Sequence, residues 1–153
     1  MKKATRQLLK YLKQANPKAF AVKVKPLEFD AAQENHCYQN AMKFLDSNET
    51  WALRSGWIVG DFFGDNGTAV MPHYWVYNPI EKYDYDVTPL DIKQSFEYVI
   101  DLEIARNINE KRRLSVPVSL KIQADGSLFA RIDENRFIPL KSINHKTLYD
   151  LVD

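Results

Sequence analysis

Apolar residues recur along this chain with two different periods, and each period predicts its own elements. Leu8, Leu9, Tyr11 and Leu12 fall at helical spacing between Thr5 and Ala15. Asn16-Pro17 ends that pattern, which predicts a helix over residues 4–15. Phe20, Val22 and Val24 then alternate, predicting a short strand from Ala19 to Val24 that Pro26 breaks. Helical spacing returns from Ala31 to Asp46, with Tyr38, Ala41, Met42 and Leu45 at i, i+3, i+4 and i+7 and an exit at Asp46-Ser47-Asn48. Asp30 and Asn35 are the two candidate N-caps, since both short polar side chains can accept from first-turn N–H groups.

Beyond residue 50 the pattern becomes that of strands. Trp57 to Phe63, Val70 to Tyr77 and Tyr83 to Val87 are rich in aromatic and β-branched residues. Gly64-Asp65-Asn66-Gly67 and Asn78-Pro79 separate them, and Thr88-Pro89 closes the third. Short loops between three strands predict an antiparallel meander. Phe96, Tyr98, Ile100, Leu102 and Ile104 alternate as in a strand, although Phe96, Val99, Ile100, Ile104 and Ile108 also fit a helix face; the aromatic and β-branched content favours the strand. A hairpin is expected from Val116 to Ile122 and Leu128 to Ile132 around Ala124-Asp125-Gly126. A further strand is expected from Phe137 to Leu140, and a closing helix from Leu148 to Val152.

The chain has 153 residues, 45% of them hydrophobic and 27% charged, which suits one domain with a real core. Five glycines and no low-complexity tract argue against disorder. No apolar run approaches the ~18 residues of a membrane span, and no signal-peptide block follows Met1-Lys2-Lys3. A lone cysteine requires no oxidising compartment. The expected location is therefore cytoplasmic, with no membrane partner; a secreted effector lacking a cleaved signal would share these features. Charge is uneven: residues 1–25 carry eight bases and no acid, whereas residues 26–103 carry fourteen acids and four bases. A basic arm can contact nucleic acid, but this one has a single arginine, Arg6, and no aromatic interleaving. Docking of the helix on its own acidic body is the favoured reading, and nucleic acid is not an expected partner. The domain plan is a single unit over 1–153: a basic helical arm over 1–25, a core over 30–90 and a β-rich extension over 91–153.

Candidate chemistry lies in three stretches: Glu34-Asn35-His36-Cys37-Tyr38-Gln39-Asn40-Ala41, Met71-Pro72-His73-Tyr74-Trp75-Val76-Tyr77 and Tyr83-Asp84-Tyr85-Asp86-Val87-Thr88-Pro89. A cysteine opens a helix, a histidine lies on a strand, and an acid lies on the next. Only a thiolate attacks carbonyls well, and the positive end of a helix dipole favours it at Cys37. His73 could take the thiol proton and return it to a leaving amine. Asp86 could hold the second ring nitrogen. A hairpin between His73 and Asp86 would place them opposite one another on strands about 4.8 Å apart.

This order resembles the core of transglutaminase-like proteins, within the papain-like cysteine peptidase superfamily. There a Cys begins a helix, and a His-Ala-Trp type strand and an Asp-Pro-Thr type strand follow. The matching residues are Cys37, His73-Tyr74-Trp75 and Asp86-Val87-Thr88, within roughly residues 33–89; His36 and Val87 depart from the pattern. The resemblance implies an α+β fold in which a helix bearing the Cys packs on an antiparallel sheet, with Cys37 as nucleophile, His73 as general acid and base, and Asp86 as orienting carboxylate. The implied function is a cysteine-dependent amide hydrolase or acyl transferase (peptidase, deamidase or transglutaminase type) acting on a protein or peptide, with no cofactor.

An oxyanion hole would draw on the Cys37 N–H. Gln33 resembles the glutamine upstream of the cysteine in papain-like enzymes, and Asn40, one turn after Cys37, is a second candidate, of a type that more often caps or bridges a core. His36, Trp57, Tyr74 and Trp75 are candidates for lining the substrate, although the aromatics are first of all core residues. A zinc site from His36, Cys37, His73 and Asp86 is not expected, because adjacent helical residues point about 100° apart. The alternative function is a catalytically silent papain-like domain that binds a protein partner.

Overall fold

The computed structural model describes residues 1–14, 16–60, 67–90, 95–105, 119–133 and 135–140. The expected helix at Leu148–Val152, the turn at Gly64-Asp65-Asn66 and the first residues of the hairpin at Val116 lie outside them. The protein is α+β: two helices, α1 (Lys3–Leu12) and α2 (Cys37–Asp46), accompany a mostly antiparallel sheet of nine strands among the described residues. The strands are β1 (Phe20–Val22), β2 (Val24–Pro26), β3 (Ala52–Gly60), β4 (Gly67–Asn78), β5 (Tyr83–Asp86), β6 (Glu97–Ile100), β7 (Leu120–Gln123), β8 (Leu128–Asp133) and β9 (Arg136–Pro139). Their spatial order is β1-β6-β3-β4-β7-β8-β9, with β5 also on β4 and β2 parallel to β5.

The meander β3-β4-β5 is as expected, and β6 resolves the ambiguous segment as a strand that gives way to a helical turn at residues 103–105. The predicted single strand over 19–24 is two strands with different partners, β6 and β5. Pro26 is the last residue of β2, and the Leu27 N–H just beyond it still donates to the Asp86 carbonyl of β5 at 2.8 Å.

Side-chain alternation sorts the core onto the two faces of the sheet. Leu8 and Leu12 of α1 and Ala41 and Phe44 of α2 pack with Trp57, Val59, Val70, Tyr74, Val76 and Val99 on one face. Ile58, Trp75, Tyr98 and Ile100 form a second cluster from the alternate positions. The basic N-terminal helix is thus docked, with Leu8 and Leu12 fully buried. Its entry is tied to the sheet where Glu97 accepts from the Lys2 N–H and the Thr5 hydroxyl. No described helix is long and apolar enough to cross a membrane.

A buried carboxylate, that of Asp101, links these layers. Asp101 accepts from Asn16 Nδ2 after α1 and from Trp57 Nε1 on β3, each at 3.0 Å. The Ser55 hydroxyl donates to its carbonyl at 2.8 Å. An acid as buried as Asp101 is tolerated because such donors replace water.

Candidate active site

The site sits at a gap in the edge of β4. β7 pairs with β4 only over Gly67–Val70, and β5 only over Val76–Asn78. Residues 71–75 therefore lack a strand on that edge among the described residues, and the first turn of α2 comes in there. The Tyr74 backbone N–H donates to the Cys37 sulfur instead of to a strand. N–H groups two residues apart point the same way, so Pro72 presents its missing donor to the same gap and costs the β3 ladder nothing.

Cys37 is the first residue of α2, and His36 is its N-cap. This corrects the expected start: neither Asp30 nor Asn35 caps the helix, and Asn35 instead takes a left-handed turn with φ of 60°. Asparagine is among the few non-glycine residues that adopt this conformation at modest cost. No N-cap side chain bonds the first turn, so its N–H groups are not claimed from that side. The His36 ring turns back onto the Glu34 carbonyl at 2.6 Å, and because a carbonyl only accepts, Nδ1 carries the proton there. His36 is exposed and engaged with its own loop.

His73 and Asp86 are both buried, and Nε2 of His73 donates to Oδ2 of Asp86 at 2.6 Å. The two are not directly opposite, as the hairpin argument expected. With Val76 opposite Tyr85, they lie on the diagonal, and Trp75 and Asp84 repeat the same offset with a 2.9 Å bond from the indole N–H. Diagonal pairs on one face remain within reach of long side chains. Since Nε2 is committed to Asp86, Nδ1 is the ring nitrogen left for the hydrogen bond that His73 shares with Cys37. The chain sulfur–imidazole–carboxylate is therefore continuous, and the sulfur is half-buried.

The electrostatics follow from these contacts. Burial works against a charged imidazole, but the Asp86 charge, the bond to it and the Cys37 sulfur outweigh that, and the pKa of His73 is pushed up to about 10. Burial likewise raises the thiol of Cys37. The hydrogen bond and charge of His73 and the Tyr74 N–H pull it down further, so the net displacement is below the ordinary thiol range. Both shifts favour a thiolate–imidazolium pair.

Asp86 has two further donors. Its Oδ1 accepts the Thr88 N–H at 2.9 Å, and its Oδ2 accepts the Tyr98 hydroxyl at 2.7 Å. Nothing local in the sequence marks Tyr98 beyond its place on a strand, because β6 reaches the site only through its pairing with β3.

Several expected site residues take other positions. The Asn40 side chain is buried, and both its N–H donors are used, one on the Gln33 carbonyl at 2.8 Å and one on the Thr88 hydroxyl at 3.1 Å, while its oxygen accepts the Gln33 N–H. With two N–H groups and both committed, it is a clamp and not an oxyanion donor. Gln33 has its backbone fixed by that clamp and its side chain exposed. Trp57, Tyr74 and Trp75 are between 0% and 1% exposed, so they wall the core and not a substrate surface. The Trp75 ring stacks beside His73, with centroids 6.3 Å apart. No group of three or more His, Cys, Asp or Glu among the described residues is arranged to hold a metal ion.

Comparison with known proteins adds no relative: no protein-family model, no curated protein and no solved structure matches this chain.

Proposed function

We propose that this protein is a cysteine-dependent amide hydrolase or acyl transferase with a papain-like, transglutaminase-like core, using Cys37, His73 and Asp86 on a protein or peptide substrate. The observation that carries this reading is the buried 2.6 Å hydrogen bond from His73 to Asp86 beside a half-buried Cys37 sulfur at the head of α2, close enough for thiol and imidazole to shift each other's titration. A buried imidazole serving only the core would need no sulfur at its second nitrogen.

The chemistry that this arrangement supports runs as follows. The thiolate attacks the amide carbonyl, forming a C–S bond and placing negative charge on the carbonyl oxygen. First-turn N–H groups of α2, that of Cys37 foremost, have no acceptor inside the helix and can receive that charge, with Gln33 as a side-chain candidate. His73 gives its Nδ1 proton to the departing amine, whose C–N bond breaks to leave a thioacyl group on Cys37. His73 then takes a proton from water or from an acceptor amine, which attacks the thioacyl carbon and releases the sulfur. Throughout, the Nε2 proton stays on the ring, aligned by Asp86.

The test is the rate of Cys37 alkylation by iodoacetamide against pH, in wild type and His73→Ala. The expected wild-type rate reaches a plateau below neutral pH, and His73→Ala moves the midpoint towards the ordinary thiol value of ~8.5. An ordinary profile in both proteins would point instead to a catalytically silent binding module.

A further inference from the structure

Asp86 is fixed at two oxygens by three donors, and the proposed chemistry uses only the one from His73. The Thr88 N–H holds Oδ1. Oδ2 receives both the His73 ring and the Tyr98 hydroxyl. Rotation about the Cβ–Cγ bond of an aspartate is soft, so a carboxylate pinned at Oδ1 alone can swing Oδ2 away from the imidazole. Tyr98 is the donor that prevents this.

The route of the phenol is built into the sheet. Tyr98 pairs with Ile58 on β3, whereas His73 pairs with Gly56, so the phenol reaches the carboxylate along the sheet face that also carries His73 and Trp75. The Tyr98 ring meets Trp75 edge-on at 5.4 Å and His73 at 6.1 Å, contacts that fix where its hydroxyl points. Burial first, and the nearby Asp86 second, hold the phenol well above its ordinary pKa, so it remains a neutral donor throughout the working range.

We propose that Tyr98 is a positioning residue of this site: its hydroxyl locks Oδ2 of Asp86 against Nε2 of His73, which keeps Nδ1 directed at the Cys37 sulfur. This rests on the cysteine-enzyme reading and adds to it a fourth member, supplied by a strand two places away from β4. The titratable groups around the ring are Cys37 from α2, Asp86 and Asp84 from β5, Tyr74 from β4 and Tyr98 itself. Asp84 is occupied by the Trp75 indole and lies 3.5 Å from Arg54 on β3. Glu97, next to Tyr98, is turned to Thr5 and Lys2.

Tyr98→Phe removes the hydroxyl and keeps the ring contacts. Alkylation of Cys37 by iodoacetamide is compared across pH in wild type, Tyr98→Phe and His73→Ala. In Tyr98→Phe the midpoint of thiolate formation is expected to rise by about one pH unit, roughly a tenfold loss of rate at a fixed pH below both midpoints. The low-field Nε2–H proton resonance of His73 is expected to broaden or vanish while the far-ultraviolet circular dichroism is unchanged. A Tyr98→Phe profile that superimposes on wild type while His73→Ala departs from it overturns the role of Tyr98 alone. If His73→Ala also superimposes, the cysteine-enzyme reading has failed with it. A second measurement needs no variant: in the wild type, the Tyr98 hydroxyl proton and the His73 Nε2–H should show a nuclear Overhauser contact, and its absence overturns the proposal.

Discussion

Asn40 on α2 donates to the hydroxyl of Thr88, two residues past Asp86, and so ties the helix that carries the sulfur to the strand that carries the acid. The same amide clamps both backbone groups of Gln33. One buried side chain thereby sets the spacing of three segments around the site. Asn40→Ala would leave the Gln33 N–H, the Gln33 carbonyl and the Thr88 hydroxyl without this partner. The expected loss of stability is about 2–4 kcal/mol, read from urea denaturation, together with slower alkylation of Cys37 at neutral pH. A loss within ~0.5 kcal/mol would mean that the clamp is dispensable.

Gly56 leaves room that no other residue would. A Cβ there would lie 1.9 Å from the Val99 carbonyl oxygen and 2.7 Å from the Trp75 ring. The first contact is with backbone and cannot be relieved by a rotamer change. Gly56→Ala is expected to destabilise the fold by about 3 kcal/mol or more and to alter Trp75 fluorescence. A variant as stable as wild type would show that β3 and β6 can move apart freely.

The Tyr74 hydroxyl is buried with no hydrogen-bond partner among the described residues. Burial chiefly, then the charges of Cys37 and Tyr38, push its pKa well up, so it stays a neutral phenol. Tyr74→Phe keeps the edge-on contact with Tyr38 at 5.0 Å and removes the orphan group. A gain of about 1 kcal/mol in thermal or urea stability is expected. A clear loss would reveal a polar partner for that oxygen.

The titration of the site should be visible in stability. Folded His73 keeps its proton up to about 10, against about 6.5 unfolded. Its contribution is therefore complete below ~6.5 and is lost as pH climbs through about 10. Cys37 shifts the other way, from about 8.5 unfolded; its contribution is complete above that value and is lost as pH falls through the lowered pKa. The two contributions run in opposite directions, His73 losing its share as pH rises and Cys37 losing its share as pH falls. Urea denaturation of wild type and Cys37→Ala across pH isolates the thiol: the difference between them should shrink towards acid. A difference independent of pH would contradict the thiolate.

Much of this was legible in the chain because the signals were local. Helical spacing in Leu8-Leu9 and in Tyr38-Ala41-Leu45 marked both helices, and turn residues at Asn78-Pro79 marked the return from β4 to β5. The chain order of Cys37, His73 and Asp86 was enough to expect one cluster, since a hairpin brings its two strands together whatever else the fold does. The start of α2 was misplaced because Asp30 and Asn35 are good N-caps by residue type. The cap that forms is His36, selected by the left-handed turn at Asn35 and not by its own side chain.

Other features depended on pairings between distant parts of the chain. Asn40 could be an oxyanion donor or a clamp until Thr88 and Gln33 were seen to use both of its N–H groups. Trp57, Tyr74 and Trp75 could be wall or core until the sheet closed over them. Tyr98, Asp101 and Gly56 act through strands β3 and β6, whose register no short stretch of sequence encodes. The sequence by itself determined the periodicities, the turns and the three chemistry-bearing residues in their order. Only the tertiary structure decided which ring nitrogen meets the sulfur, which donors hold the carboxylate, and where β4 is left open, because each of these depends on how strands far apart in sequence come to lie side by side.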